Sequence, residues 1–172
     1  MLSKQELAQN IYSIAHLTGN FLLRSGKTSH EYFDKYRFEA QPHLLKEIAR
    51  QMAPMIPKDT EILAGLEMGG IPIATALSLE SGIPVCFVRK EAKKYGTCQL
   101  AEGIAIEGKK VCIIEDVVST GGQVVLSTQD LRKQGAIIET VLCVIHRNLS
   151  PLTDLENINL NLKPLFTSAD FS

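Results

Sequence analysis

Short apolar segments that suit buried strands alternate along this chain with longer segments that suit helices. The strand candidates are residues 61–65, 85–88, 111–114 and 137–145, and residues 71–80 and 124–134 between them are predicted as helices. Strands that alternate with helices form parallel sheets with helices on both faces. The pattern therefore predicts an α/β fold with a central, mainly parallel sheet flanked by helices.

The N-terminal part of the chain is predicted to be helical. Residues 4–17 carry apolar side chains at helical spacing, and a second helix is expected over residues 42–55, ending near Pro57. With 172 residues, 45% of them hydrophobic, the chain is large enough for one domain with a substantial core. No internal repeat, low-complexity tract or linker interrupts it. We therefore expect residues 1–172 to form a single domain.

Residues 111–123 are the most informative segment for function. The strand candidate 111–114 is followed by two carboxylates, Glu115 and Asp116, and then by a turn of small residues, Ser119 to Gly122. A strand that enters a glycine turn and a helix N-terminus presents unpaired backbone N–H groups to an anion. The two carboxylates would repel a phosphate, but they suit the hydroxyl groups of a sugar attached to it. The segment predicts binding of a ribose 5-phosphate, and the alternative is a turn without a ligand.

Two common nucleotide-binding motifs are absent. A Walker loop needs a glycine five positions before Gly-Lys-Ser/Thr, but Phe21 stands at that place before Gly26-Lys27-Thr28. The chain also contains no G-x-G-x-x-G motif, which is typical of dinucleotide-binding folds. The phosphate site predicted at residues 119–122 is therefore of another type.

Residues 115–122 resemble the phosphoribosyl pyrophosphate (PRPP) motif of the type I phosphoribosyltransferases. The resemblance is to the orotate phosphoribosyltransferase family in particular, and it extends from about Phe21 to the C-terminus. It implies transfer of ribose 5-phosphate from PRPP to orotate, with release of pyrophosphate. It also implies a flexible catalytic loop and a small hood formed by about residues 1–40 and the C-terminal strand.

The resemblance assigns roles to two loops. The acidic pair holds the ribose hydroxyls, and the turn after it wraps the 5-phosphate. A second glycine-containing loop, residues 66–70, follows the strand candidate 61–65 and is assigned to pyrophosphate; in that family it often contains a strained or cis peptide. Because ligands gather at the carboxyl ends of parallel strands, both loops are expected to face one crevice. The PRPP contacts implied in these loops are Glu67, Met68, Gly69, Gly70, Glu115, Asp116, Val117, Val118, Ser119, Thr120, Gly121, Gly122 and Gln123.

A cationic segment, residues 89–97, follows the strand candidate 85–88. Its composition is typical of a surface loop, and a solvated charge run is the ordinary interpretation. It resembles the catalytic loop of the family, so that Arg89, Lys90 and Lys93 are expected to bind pyrophosphate, partly across a subunit interface. Tyr95 stands where the family usually has histidine and is expected to contact PRPP. Lys90, Lys93 and Asp116 are the predicted catalytic residues.

Orotate recognition is predicted from five residues. Residues 21–34 resemble the family's hood over the base, where residues matching Tyr32 and Phe33 pack against the base and a cation often stands at Arg24. Arg147 matches the arginine that pairs with the orotate carboxylate, for which a planar guanidinium is well suited. Ser119 is also assigned to the orotate site. The alternative for these residues is ordinary core packing and surface charge.

The resemblance further implies Mg²⁺, held by PRPP and water with Glu115 and Asp116 as candidate ligands, and a homodimer with shared active sites. A net charge of −1 gives no indication of nucleic-acid or membrane binding. Cys86, Cys112 and Cys143 lie in apolar runs and are expected to be buried free thiols, whereas Cys98 is expected to be exposed. These thiols favour the cytoplasm.

Two other functions remain open from the sequence. One is a phosphoribosyltransferase for a purine or another pyrimidine, which Arg147 disfavours because those bases carry no carboxylate. The other is a PRPP-binding regulatory protein without catalysis. Proteins of that kind carry a DNA-binding region or a basic surface, and neither is found in this chain.

Overall fold

The computed structural model describes residues 1–23, 26–91, 100–147 and 152–171. These described residues form six helices and eight strands, which are, in chain order, α1 (Lys4–Ala15), β1 (His16–Leu22), β2 (Thr28–Phe33), α2 (Lys35–Glu39), α3 (Pro42–Met52), β3 (Ile62–Leu66), α4 (Gly70–Ser81), β4 (Val85–Val88), β5 (Ala101–Glu102), β6 (Lys110–Val118), α5 (Gly122–Lys133), β7 (Ile137–His146), α6 (Thr153–Asn157) and β8 (Asn161–Thr167). Short 3₁₀ turns follow α3 at Ala53–Met55 and β8 at Ser168–Phe171.

A six-stranded sheet with the order β5-β4-β3-β6-β7-β8 forms the centre of the molecule. All neighbouring strands in it are parallel except β4 and β5, which are antiparallel. Every residue of β3 is buried, as expected for a strand covered on both faces. The predicted parallel α/β sheet is confirmed, and β3, β4 and β6 lie side by side, so their carboxyl ends meet at one edge.

The predicted end of the strand at residue 114 was wrong. Strand β6 continues to Val118 because it pairs with β7 along its whole length, and Val118 opposite His146 is the last pair. Glu115 and Asp116 therefore lie inside the strand rather than in the loop that follows it. Helix α5 correspondingly begins at Gly122, immediately after the small-residue turn.

Helices cover both faces of the sheet, and each face has its own apolar core. One core joins α1, α3 and α4 to the sheet through Leu7, Leu44 and Leu77, each with 0% of its surface exposed. The other joins α5 and α6 to the opposite face through Leu131 and Leu155. Burial of this apolar area is the main source of stability for such a layered fold.

A small N-terminal unit lies beside the main sheet. Strands β1 and β2 form an antiparallel hairpin of their own, and α2 follows directly after it. The expectation that the C-terminal strand belongs to this hood was wrong, because β8 pairs with β7 in the main sheet. The 3₁₀ turn after β8 reaches the hood instead: the ring centroid of Phe171 lies 6.3 Å from Tyr12 and 6.2 Å from Phe33.

Two further expectations concern the cysteines and the membrane. Cys86, Cys112 and Cys143 are buried free thiols, as predicted. Cys98 lies outside the described residues. Within the part of the chain that the structure describes, no helix is long and apolar enough to cross a membrane.

Candidate active site

The turn between β6 and α5 forms one wall of the site. Gly121 has a positive φ of 77°, and a Cβ built there would lie 2.4 Å from Cδ1 of Leu155, so the turn requires glycine. Helix α5 begins without a side-chain cap, and no acidic residue lies in its first turn. The N-terminal N–H groups of α5 are therefore available to an anion in the adjacent cleft.

The loop between β3 and α4 forms the opposite wall and touches the acidic pair through its glycines. A Cβ on Gly69 would lie 1.5 Å from Oδ2 of Asp116, and one on Gly70 would lie 2.4 Å from the carbonyl oxygen of Ile114. The Glu67–Met68 peptide bond in this loop is cis. The two loops thus meet at the carboxyl ends of β3 and β6, as expected for adjacent parallel strands.

A cleft of about 370 Å³ lies between these loops. Its lining residues are Lys35, Tyr36, Glu67, Met68, Lys90, Glu115, Val117, Val118, Ser119, Thr120, Gly121, Gly122, Gln123 and Val124. Most of the residues predicted to contact PRPP are therefore brought together. Lys35, Tyr36 and Val124 were not predicted for the site.

The two members of the acidic pair lie in different environments. Glu115 lines the cleft, whereas the Asp116 side chain is 0% exposed and lies beneath Gly69. Oδ1 of Asp116 accepts the backbone N–H of Val117 at 2.5 Å, and Oδ2 lies 2.5 Å from Nζ of Lys35. The pair therefore presents one carboxylate to the cleft and holds the other behind it.

A third carboxyl group, that of Glu39, belongs to the same cluster. Burial raises the pKa of Glu39 to about 9, and the hydrogen bond with Asp116 and the negative charge of Asp116 contribute to this shift. Burial, followed by the charge of Asp116, also raises the pKa of Glu115 well above its ordinary value. Glu39 therefore carries a proton near neutral pH, and the cluster holds fewer negative charges than its three carboxyl groups suggest.

Lys35 is the cation of this cluster. Burial alone would lower the pKa of Lys35. The hydrogen bond with Asp116 and the negative charge of Asp116 outweigh burial and raise this pKa above its ordinary value. Lys35 and Glu39 are four residues apart on α2, so both project from one face of that helix toward the acidic pair. Sequence reasoning missed both residues, because a Lys and a Glu at this spacing usually form a solvent-exposed pair.

The cationic loop is described only at its beginning. Lys90 lines the cleft, and its backbone N–H donates to Oε1 of Glu67, which ties this loop to the β3–α4 loop. The backbone N–H of Arg89 donates to the carbonyl of Leu100 at 2.9 Å, and its Nε is buried without a hydrogen-bond partner. Lys93 and Tyr95 lie outside the described residues.

The residues predicted to recognise orotate are only partly brought together. The guanidinium of Arg147 lies 5.7 Å from the ring centroid of Phe33, and both line a cavity of about 250 Å³. Tyr32 is 44% exposed and stacks on Phe21 at 5.5 Å, and Ser119 lines the other cleft. Arg24 lies outside the described residues. The cavity is completed by Tyr12, Ile145, Ser168 and Phe171, which were not predicted for the site.

Within the described ranges, no group of three or more His, Cys, Asp or Glu side chains is arranged to hold a metal ion. Oε2 of Glu115 is nevertheless buried without a hydrogen-bond partner. Carboxylate oxygens of this kind suit Mg²⁺, which commonly takes one or two protein carboxylates together with substrate phosphates. The residues fit a metal that arrives with its substrate better than a permanent metal centre.

Known proteins resemble this chain over nearly its whole length. Residues 36–159 match the model of the phosphoribosyl transferase domain. An orotate phosphoribosyltransferase from Nocardioides sp. is 48% identical, over 95% of this chain and 92% of the relative. Another from Methanocaldococcus jannaschii is 39% identical, over 87% of this chain and 85% of the relative.

A solved structure shares the fold. The crystal structure of Mycobacterium tuberculosis orotate phosphoribosyltransferase in complex with Fe(III) dicitrate matches with a TM-score of 0.88 and 27% identity, and the match covers 98% of each chain. Together with the glycine turns and the acidic pair at the carboxyl ends of β3 and β6, these matches place the protein in a known family. The chain belongs to the orotate phosphoribosyltransferase family of type I phosphoribosyltransferases.

Proposed function

We propose that this protein transfers ribose 5-phosphate from PRPP to N1 of orotate, giving orotidine 5′-phosphate and pyrophosphate in pyrimidine biosynthesis. The observation that carries the proposal is the cleft in which the small-residue turn Ser119–Gly122, the carboxylate of Glu115, the loop of Glu67 and Met68, and Lys90 converge. A phosphate site, a sugar site and a second anion site side by side match the three parts of PRPP. The family membership supports orotate as the acceptor.

PRPP binds with its 5-phosphate at the turn and its pyrophosphate at the opposite loop. The N–H groups of residues 119–123 and the hydroxyls of Ser119 and Thr120 hold the 5-phosphate at the N-terminus of α5. Glu115 and Asp116 hold the ribose hydroxyls. The backbone of residues 67–70 holds the pyrophosphate, and because this loop carries the acidic Glu67, cations from outside it must balance the charge.

Catalysis rests on orientation and electrostatics, because no side chain needs to form a covalent bond with the sugar. As pyrophosphate leaves C1, positive charge grows on the ribose ring and is stabilised by the carboxylates of Glu115 and Asp116. Lys90 and Lys93, with Arg89, stabilise the charge of the departing pyrophosphate. Closure of the loop of residues 89–99 excludes water, and Tyr95 donates a hydrogen bond to PRPP where relatives have histidine.

Mg²⁺ accompanies PRPP in this proposal. Glu115 and Asp116 are the residues that would hold it, because Oε2 of Glu115 is buried without a hydrogen-bond partner and Asp116 is the adjacent carboxylate in β6. When bound, a hard divalent cation would neutralise part of the negative charge of the pyrophosphate.

Orotate binds where the hood meets the end of β7. Arg147 pairs with the carboxylate of orotate, and the ring of Phe33, 5.7 Å from the guanidinium, provides an apolar wall. Tyr32 and Arg24 of the hood close over the base, and Ser119 approaches it from the phosphate side. The cavity of about 250 Å³ beside Arg147 and Phe33 leaves room for this closure.

The working enzyme is a cytoplasmic homodimer in this proposal. The segment 89–99 is too polar to pack on the core of its own subunit, so we infer that it closes over the active site of a partner. A two-fold dimer is the commonest symmetric assembly. The free thiols Cys86, Cys112 and Cys143 fit a reducing compartment. A single phosphoribosyltransferase domain accounts for residues 1–172.

A substrate panel tests the proposal. Purified protein is supplied with PRPP, Mg²⁺ and one of orotate, uracil, hypoxanthine, xanthine or adenine, and pyrophosphate release is followed. We expect turnover with orotate alone. Turnover with a purine or uracil and none with orotate would favour the other phosphoribosyltransferases, and nucleic-acid binding without any turnover would favour a regulatory protein.

A further inference from the structure

The carboxylate of Asp116 is fully engaged in this structure. Oδ1 accepts the backbone N–H of Val117, and Oδ2 lies 2.5 Å from Nζ of Lys35. The side chain is 0% exposed, and the backbone of Gly69 closes the remaining side of Oδ2. Neither oxygen is open to a ribose hydroxyl, although the proposed function needs one of them.

Lys35 is the neighbour that can move. Val117 and Gly69 meet Asp116 through their backbones, which are held in β6 and at the start of α4. Lys35 reaches Asp116 with a flexible four-carbon side chain that is 30% exposed and lines the cleft. Rotation of this side chain vacates the side of Oδ2 that Lys35 occupies and leaves the sheet undisturbed, while the carboxyl groups of Glu39 and Glu115 stay beside Asp116.

The cleft gives the released ammonium group a new partner. Lys35 shares the lining of the cleft with Lys90 and with two acidic residues, Glu67 and Glu115. A substrate that carries a 5-phosphate and a pyrophosphate brings several negative charges into this space. Its phosphate oxygens offer Lys35 charged hydrogen bonds, while its ribose hydroxyls replace Lys35 as donors to Asp116.

We propose that Lys35 exchanges partners when PRPP binds, leaving Oδ2 of Asp116 for a ribose hydroxyl and pairing with a phosphate oxygen of PRPP. Lys35 is then a substrate-binding residue that also keeps Asp116 paired before PRPP binds. The inference rests on the proposed function only in that PRPP is the ligand of this cleft, and it does not depend on which base accepts the ribose.

Direct binding of PRPP tests the exchange. Titration calorimetry with PRPP and Mg²⁺, without any base, is carried out on the wild type, Lys35→Met, Lys35→Gln and Lys35→Arg. Lys35→Met and Lys35→Gln should weaken PRPP binding about 10- to 100-fold, the usual loss for a charged hydrogen bond. Lys35→Arg should retain most of the affinity. Arg37→Gln removes a cation from the exposed side of the same helix and should bind as the wild type does.

Stability and kinetics separate this role from a structural one. Lys35→Gln keeps a hydrogen-bond donor for Asp116, so it remains informative if Lys35→Met does not fold. In steady-state assays the KM for PRPP should rise about ten-fold or more, while the KM for orotate changes less than about three-fold. A lower melting temperature with unchanged PRPP affinity would show a structural ion pair and overturn the exchange.

Two further outcomes are decisive. Tighter PRPP binding by Lys35→Met would show that Lys35 only blocks Asp116, and would overturn its contact with PRPP. Wild-type protein that binds PRPP but does not use orotate would contradict the proposed function, while a loss of PRPP affinity in Lys35→Gln would still support the exchange.

Discussion

The backbone of Gly69 lies against the carboxylate of Asp116, so closely that a Cβ on Gly69 would be 1.5 Å from Oδ2. Gly69 belongs to the loop after β3, and Asp116 lies near the end of β6, the neighbouring strand. This contact fixes the spacing between the loop that we propose for pyrophosphate and the acid that we propose for ribose. A side chain at position 69 is incompatible with that spacing.

Substitution of Gly69 by alanine should therefore damage both the fold and the site. We expect Gly69→Ala to lower the free energy of unfolding by about 1–3 kcal/mol, as overpacking usually does, and to raise the KM for PRPP. Gly122→Ala is the matched control for stability, since a Cβ there meets no atom within 4 Å. Denaturant unfolding compares the two variants. A Gly69→Ala protein with wild-type stability and KM would show that the loop shifts freely.

Arg147 should determine affinity for orotate rather than for PRPP. Arg147→Ala removes the proposed partner of the orotate carboxylate, and a lost charged pair costs on the order of 2–4 kcal/mol. The KM for orotate should rise by the corresponding factor while the KM for PRPP changes little. Arg147→Lys keeps the positive charge but lacks the planar guanidinium, so its KM for orotate should lie between those of the wild type and Arg147→Ala. Equal changes in both KM values would count against orotate as the acceptor.

The cysteines should differ sharply in reactivity. Burial raises the pKa of Cys86 to about 11 and that of Cys112 to about 12, and it also raises the pKa of Cys143. Thiols that are buried and protonated react slowly with a disulfide reagent. Native protein at pH 8 should show one rapidly reacting thiol, that of Cys98, and denatured protein should show all 4 cysteines of the chain. Cys98→Ser should remove the fast phase, and its persistence would disprove the assignment.

Shared active sites predict complementation between two inactive variants. If Lys93 acts across the interface, a heterodimer of Lys93→Ala and Asp116→Asn has one site with both defects and one site with neither. Mixing the variants should then restore about half of the wild-type activity per heterodimer. No recovery despite verified subunit exchange would show that Lys93 serves its own subunit. A monomer in sedimentation would reject shared sites altogether.

Much of the fold followed from local patterns. The apolar strands and the glycine turns after β3 and β6 were predictable, because each depends on a few neighbouring residues and on the preference of parallel sheets to bind ligands at their carboxyl ends. Burial of Cys86, Cys112 and Cys143 followed from the same runs. The end of β6 did not, because pairing with β7 overrides the polarity of Glu115 and Asp116 and extends the strand to Val118.

The parts that were missed depend on distant contacts. Lys35 and Glu39 belong to a five-residue helix, and their sequence neighbourhood gives no indication that α2 docks on the acidic pair. Likewise, β8 is a half-polar strand whose place in the sheet is set by β7 alone. Both cases show tertiary contacts deciding the role of residues whose local pattern is neutral.

The central claim is that the acidic pair at the end of β6 holds the ribose of PRPP. The kinetics of the Asp116→Asn variant test this claim most directly. The substitution keeps the shape of a buried side chain and removes its charge, so we expect a folded protein whose kcat/KM for PRPP falls about 100-fold or more. Asp130→Asn, which removes an exposed carboxylate paired with Lys133 on α5, is the control and should behave as the wild type does. A folded Asp116→Asn protein with near-normal kcat/KM would contradict the account.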